Sequence, residues 1–202
     1  MNFSADSNTL IILLHEIYGI NEHMQTVAAE YSKAGFNVIC PDLLGLGRPF
    51  EYSQQQEAYR YFTANVGFEK AADQVKELAT DAKRTYNNVF LTGYSIGATI
   101  AWLCSNERNM FNSVIGYYGS RIRDYTAVEP KCPVLLFFPA HEKSFDVRSF
   151  VCSFKKTNVE IHMLNGEHGF ADPFSQNYCD AAFKQSVNIV HNFFQNKILL
   201  FK

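Results

Sequence analysis

Six short apolar runs punctuate the chain: Leu10 to Leu14, Phe36 to Cys40, Val89 to Thr92, Ser113 to Tyr118, Val134 to Phe138 and Val159 to Leu164. Most are continuous rather than alternating, which is the pattern of strands covered on both faces in a parallel sheet. Between several of them the apolar positions change to helical spacing. Met24, Val27, Ala28, Tyr31 and Ala34 form one stripe between Asn21, a candidate N-cap, and Gly35, a candidate residue just past the helix end. Phe68, Ala71, Ala72, Val75, Leu78, Ala79 and Ala82 form a second, and Phe183, Val187, Val190 and Phe194 a third. Strand and helix in repeated succession predict an α/β fold, an open parallel sheet with helices on both faces. No repeat, low-complexity tract or linker divides the sequence, so residues 1–202 are expected to form a single domain.

Composition narrows the classes of function. With 47% hydrophobic and 19% charged residues, and aromatics at 15%, the chain is far from the signature of disorder. Its net charge of −2 comes without any long basic run, so no nucleic-acid partner is expected. The apolar run Pro133 to Ala140 is far short of the ~20 residues of a spanning helix, and Met1 to Asp6 has no basic start followed by an apolar stretch. The expectation is a soluble, cytoplasmic protein without a membrane partner, a monomer or weak homodimer. The five cysteines are scattered and odd in number, which fits free buried thiols. Neither they nor the six histidines show a metal-ligand spacing, so no metal and no cofactor are expected.

In an open parallel sheet the chemistry sits in the loops at the C-terminal ends of the strands. After the third run stands Gly93-Tyr94-Ser95-Ile96-Gly97, followed by the helical pattern Ala98 to Cys104. This is the G-x-S-x-G arrangement, in which a serine occupies a strained strand-to-helix turn and the flanking glycines let strand and helix approach closely. A serine hydroxyl needs a base to take its proton and an acid to orient that base, in the chain order serine, acid, histidine. His168, in the loop Asn165-Gly166-Glu167-His168-Gly169-Phe170 after the sixth run, is the candidate base. His162 lies inside that run and His191 in the last helix, whereas His141 neighbours the expected acid. Two carboxylates follow the fifth run, and Glu142 is favoured over Asp146, which is placed to cap a helix. Two backbone N–H groups, those of Ile17 and Ile96, are the expected oxyanion hole.

The motifs Leu14-His15-Glu16-Ile17-Tyr18-Gly19, Cys40-Pro41-Asp42-Leu43-Leu44-Gly45, the elbow, Gly116-Tyr117-Tyr118-Gly119 and His168-Gly169-Phe170-Ala171 come in an order that resembles the dienelactone hydrolase family of the α/β-hydrolase fold. The resemblance implies a hydrolase of a small ester or lactone, with an acidic residue at the Glu16 position contacting the nucleophile. It also shows departures. Ser95 stands where the type enzyme has cysteine, Glu142 replaces the usual aspartate, and Asp172 stands where an arginine grips the dienelactone carboxylate, a second such arginine falling near Gln55. A neutral ester or lactone is therefore the expected substrate. Only Met1 to Thr9 precede Leu10, so the two leading strands of the family are expected to be missing, leaving about six strands and none before residue 9.

The substrate pocket is expected to include Glu16, Tyr59, Tyr117 and Tyr118. The aromatic segment from Leu43 to Gly67 either roofs the site or packs the connection. The expected function is a serine hydrolase working through Ser95, His168 and Glu142. The alternatives are a thioesterase or small peptidase with the same triad, and a hydrolase-fold protein that binds a ligand without catalysis.

Overall fold

The computed structural model describes residues 1–5 and 7–198; Asp6 and the last four residues of the expected domain lie outside the described residues. Seven strands form one sheet in the order β1-β3-β2-β4-β5-β6-β7. The strands are β1 (Asn2–Phe3), β2 (Thr9–Leu14), β3 (Asn37–Ile39), β4 (Asn88–Tyr94), β5 (Ser113–Tyr117), β6 (Val134–His141) and β7 (Val159–Glu167). All neighbours from β3 to β7 pair in parallel. The helices are α1 (Glu22–Lys33), α2 (Gln55–Asn65), α3 (Phe68–Ala82), α4 (Ile96–Cys104), α5 (Val147–Ser153) and α6 (Asp180–Ile198).

The layering follows from the side-chain period of two along each strand. In β2, Leu10, Ile12 and Leu14 enter one core, with Phe62 of α2, Val75 of α3 and Trp102 of α4. Ile11 and Leu13 enter the other, with Met24 of α1 and Phe193 of α6. Both faces are dry, which is why the runs read as continuous rather than alternating. Helix α1 begins and ends where its sequence signals stand. The Asn21 carboxamide oxygen accepts the Met24 N–H at 3.2 Å, and Gly35 takes a φ of +89° while Phe36 N–H closes the end on the Tyr31 carbonyl.

One expectation is corrected. A strand does precede residue 9: β1 runs antiparallel to β3, with Asn2 opposite Ile39 and Phe3 opposite Val38. The N-terminal ammonium donates to the Cys40 carbonyl, Cys40 N–H returns a bond to the Met1 carbonyl, and Ala5 N–H donates to the Asn37 side chain. Two residues are too few for any hydrophobic period to register, yet they cover an otherwise open sheet edge. The sheet is thus the six parallel strands that the sequence predicts plus this short antiparallel one.

Strands β6 and β7 also run past their apolar stretches. Each ends one residue before a site side chain, β6 before Glu142 and β7 before His168. The bulge near Pro139 and His141 lies at this end of the pair.

Candidate active site

Ser95 joins β4 to α4 with φ +54° and ψ −113°, a conformation that costs an ordinary residue roughly 1–3 kcal/mol and so needs support around it. The support is close packing. A Cβ at Gly93 would lie 2.2 Å from the Gly97 carbonyl oxygen, and one at Gly97 would lie 2.5 Å from the carbonyl oxygen of Leu14 and 2.7 Å from that of His15. Ser95 N–H donates to the Tyr117 carbonyl at 2.9 Å, tying the turn to β5. Replacing Gly97 with alanine should push the end of β2 away from α4. The expected loss is about 1–3 kcal/mol of stability, read as a lower midpoint in chemical denaturation, together with a lower turnover.

The Ser95 Oγ lies 2.9 Å from His168 Nε2, and His168 Nδ1 lies 2.9 Å from Glu142 Oε2. The three side chains come from the ends of β4, β7 and β6, which the parallel sheet brings to one edge with β5 between β4 and β6. Glu142 is nearly buried there. Burial alone would raise its carboxyl, but the His168 hydrogen bond and charge, with the N–H and hydroxyl of Ser144, hold it below its ordinary value. Asp146 does something else: it accepts the Ser149 N–H at 3.1 Å and the Ser149 hydroxyl at 2.7 Å at the start of α5.

Ile96 opens α4, so its N–H belongs to the first turn and has no partner within the helix. Ile17 follows β2, and both residues line the same cavity of about 840 Å³ as Ser95 and His168. His15 fixes the Ile17 loop from beneath. Its Nδ1–H donates to the Glu16 carbonyl at 2.6 Å, and its Nε2 accepts the Leu43 N–H at 3.0 Å. Burial pushes this imidazole below its ordinary value, in keeping with a neutral ring that donates on one side and accepts on the other.

Glu16 and Tyr59 are both in the cavity wall, but Tyr117 and Tyr118 are not. Position at a strand end does not decide where a side chain points. The Tyr117 ring packs into the core beside α6, stacked between Tyr94 and Phe137 at centroid distances of 4.6 and 4.8 Å. Tyr118, at φ +43°, is fully buried under the His168 ring, 4.9 Å away, with its hydroxyl beside the Glu16 carboxyl. The Leu43 to Gly67 segment divides. Tyr52 and Tyr59 face the cavity, whereas Phe62 packs against Phe68 and the Tyr61 hydroxyl donates to the Leu44 carbonyl.

Some wall residues were not among the sequence candidates. Arg121 and Arg123, from the turn after β5, line the cavity together with Lys143. Their place after a strand end was the available signal, and no motif marked them. Arg121 pairs with Asp124 at 2.6 Å, and Arg123 donates to the Ser120 carbonyl while its guanidinium lies over the Phe145 ring, 4.9 Å from its centre. Deeper down, Glu16, His23 and Asp172 come together, a ligand atom of each lying within 4.8 Å of those of the other two. Burial, with the Asp172 charge adding to it, pushes the Glu16 carboxyl up to about 7, while burial lowers the His23 ring to about 4.

The family model described as the dienelactone hydrolase family matches residues 3–198. The uncharacterized protein YczH of Bacillus subtilis is 38% identical over 186 residues, 91% of each chain. Carboxymethylenebutenolidase 1 of Cupriavidus pinatubonensis is 24% identical over 194 residues, covering 89% of this chain and 82% of that one. Among solved structures, a dienelactone hydrolase-like promiscuous phosphotriesterase from metagenomic libraries superposes with a TM-score of 0.75 at 16% identity, over 96% of this chain and 88% of that chain. This last likeness is one of fold.

Proposed function

The chain belongs to the dienelactone hydrolase family, and from that premise we propose that it is a serine hydrolase that cleaves a small carboxylic ester or lactone. The observation that carries the reading is the unbroken relay from Ser95 through His168 to Glu142, at 2.9 Å for each contact, opening on one cavity. In this reading His168 Nε2 takes the Ser95 proton as Oγ attacks the carbonyl carbon. Glu142 holds the ring in the tautomer that leaves Nε2 free, and stabilises the imidazolium that forms. The Ile17 and Ile96 amides receive the developing oxyanion. His168 then returns the proton to the leaving alcohol, and water, activated by the same ring, releases the acid from Ser95. Carboxymethylenebutenolidase 1, among the relatives, carries a lactone-hydrolase name, which supports a lactone or ester as the substrate class.

The wall composition supports a neutral substrate. Asp172 and Glu16 line the cavity, and two of its three cations are engaged by Asp124, Ser120 and Phe145. Hydrolysis of short neutral aryl esters and neutral lactones should therefore exceed that of matched esters bearing a carboxylate, read as kcat/KM across the paired panel. Faster turnover of the carboxylate series would overturn the neutral assignment. No turnover of any ester or lactone by the folded protein would overturn the hydrolase reading itself.

A further inference from the structure

At the buried end of the cavity three ionisable side chains converge outside the Ser95, His168 and Glu142 relay. Glu16, from the loop after β2, His23, from the first turn of α1, and Asp172, from the loop after β7, are all buried, and one ligand atom of each lies within 4.8 Å of the other two. His23 has no solvent exposure. Neither of its ring nitrogens has a hydrogen-bond partner, and Nδ1 stands 3.7 Å from Asp172 Oδ2. Its ring is held edge-on against Tyr94 at 4.8 Å, which leaves it little freedom to find another partner.

The carboxylates have partners that donate. Asp172 accepts the Tyr52 hydroxyl at 2.6 Å and the Phe174 N–H at 2.9 Å, and Glu16 has the Tyr118 hydroxyl beside it. Among the described residues no lysine or arginine forms an ion pair with either. Two carboxylates and a neutral imidazole, withdrawn from water at one point, call for a cation, because an uncompensated buried charge costs several kcal/mol. A proton on Glu16 would remove one charge, but a carboxyl O–H can donate to one imidazole nitrogen at most and leaves the Asp172 charge uncompensated. A divalent ion would engage all three side chains together.

We propose that Glu16, His23 and Asp172 form a binding site for a divalent transition-metal ion, of which zinc is the representative. One imidazole and two carboxylates make a borderline-to-hard donor set suited to zinc, cobalt(II) or manganese(II). Bonds of about 2.0–2.2 Å place ligand atoms roughly 3–4 Å apart, a separation at which His23 and Asp172 already stand, with Glu16 within 4.8 Å of both. Glu16 and Asp172 reach the cavity wall, which gives a hydrated ion a path in and leaves room for a water on the ion. The site does not depend on Ser95 acting as a nucleophile.

The test is binding, not activity. Protein stripped with a chelator is titrated with zinc chloride by calorimetry, and in parallel with cobalt(II) by visible absorption. The expected result is one zinc per chain, an increase in melting temperature on zinc addition, and a cobalt spectrum without thiolate charge-transfer bands, which separates the site from the free cysteines. His23→Gln and Asp172→Asn should each weaken binding at least about tenfold and abolish the thermal shift. Asp172→Asn keeps the side-chain shape and an acceptor for Tyr52, so it reads the site even if the change at His23 disturbs the core. Absence of zinc binding at 100-fold molar excess, or binding that both variants retain, would overturn the proposal and leave a shared proton as the counter-charge.

Discussion

Ser95→Ala should reduce kcat for a test ester by about three to six orders of magnitude while leaving the protein folded, since removing the nucleophile of such a relay leaves only binding and oxyanion stabilisation. The Oγ is the atom placed 2.9 Å from His168 Nε2, and its removal takes away the only group in that line able to form the acyl intermediate. Alanine at φ +54° is no worse tolerated than serine in kind, and the turn is held by the bond from the residue 95 N–H to Tyr117 and by the packing of Gly93 and Gly97. Circular dichroism and the denaturation midpoint should therefore stay close to those of the parent protein. Retention of more than a tenth of the turnover would place the nucleophile elsewhere.

Glu142→Gln is expected to lower kcat by about three to four orders of magnitude, with a much smaller change in KM. Glutamine keeps the length of the side chain, but it can present an N–H to His168 Nδ1 and so favour the tautomer in which Nε2 carries the proton. The serine then faces a donor instead of a base. Asp146→Asn is the comparison that makes the result specific. Asp146 is exposed and bonded to Ser149, so its amide should leave kcat within about twofold of the parent value. The pH behaviour follows from the sign of the Glu142 shift. Its carboxyl sits below the ordinary 4.5 in the folded protein, despite burial, because His168 and Ser144 favour the ionised form. The stabilisation it gives is present above pH 4.5 and is lost as pH falls through the lower folded value. A fall in kcat/KM between pH 7 and 5 should consequently not come from protonation of Glu142.

Much of this arrangement was legible in the order of residues because the fold turns chain order into spatial order. Strand ends of a parallel sheet share one edge, so a serine after β4, a carboxylate after β6 and a histidine after β7 all come to that edge, and the loops there bring the side chains together. Glu142 and Asp146 were separable by distance from the strand end, as the structure places one beside His168 and gives the other to a helix cap. The strand β1 was not legible because two residues carry no period, and its evidence is a set of backbone bonds to Cys40 and Asn37. Tyr117 and Tyr118 were misplaced because position at a strand end says nothing about which face a side chain takes. Tyr117 joins an aromatic stack and Tyr118 turns beneath His168. The Glu16, His23 and Asp172 group was invisible for a related reason: Glu16 and His23 stand in no spacing that marks a metal site, and Asp172, far along the chain, joins them only through the fold.

Covalent trapping reads whether His168 and Glu142 make Ser95 nucleophilic. The protein is incubated with a fluorophosphonate at neutral pH, digested, and analysed by mass spectrometry for the site and rate of modification. The expected result is a single stoichiometric adduct on the peptide containing Ser95, absent in Ser95→Ala and formed at least about a hundredfold more slowly in Glu142→Gln. An adduct on another residue, or labelling of Ser95 at an unchanged rate in Glu142→Gln, would contradict it.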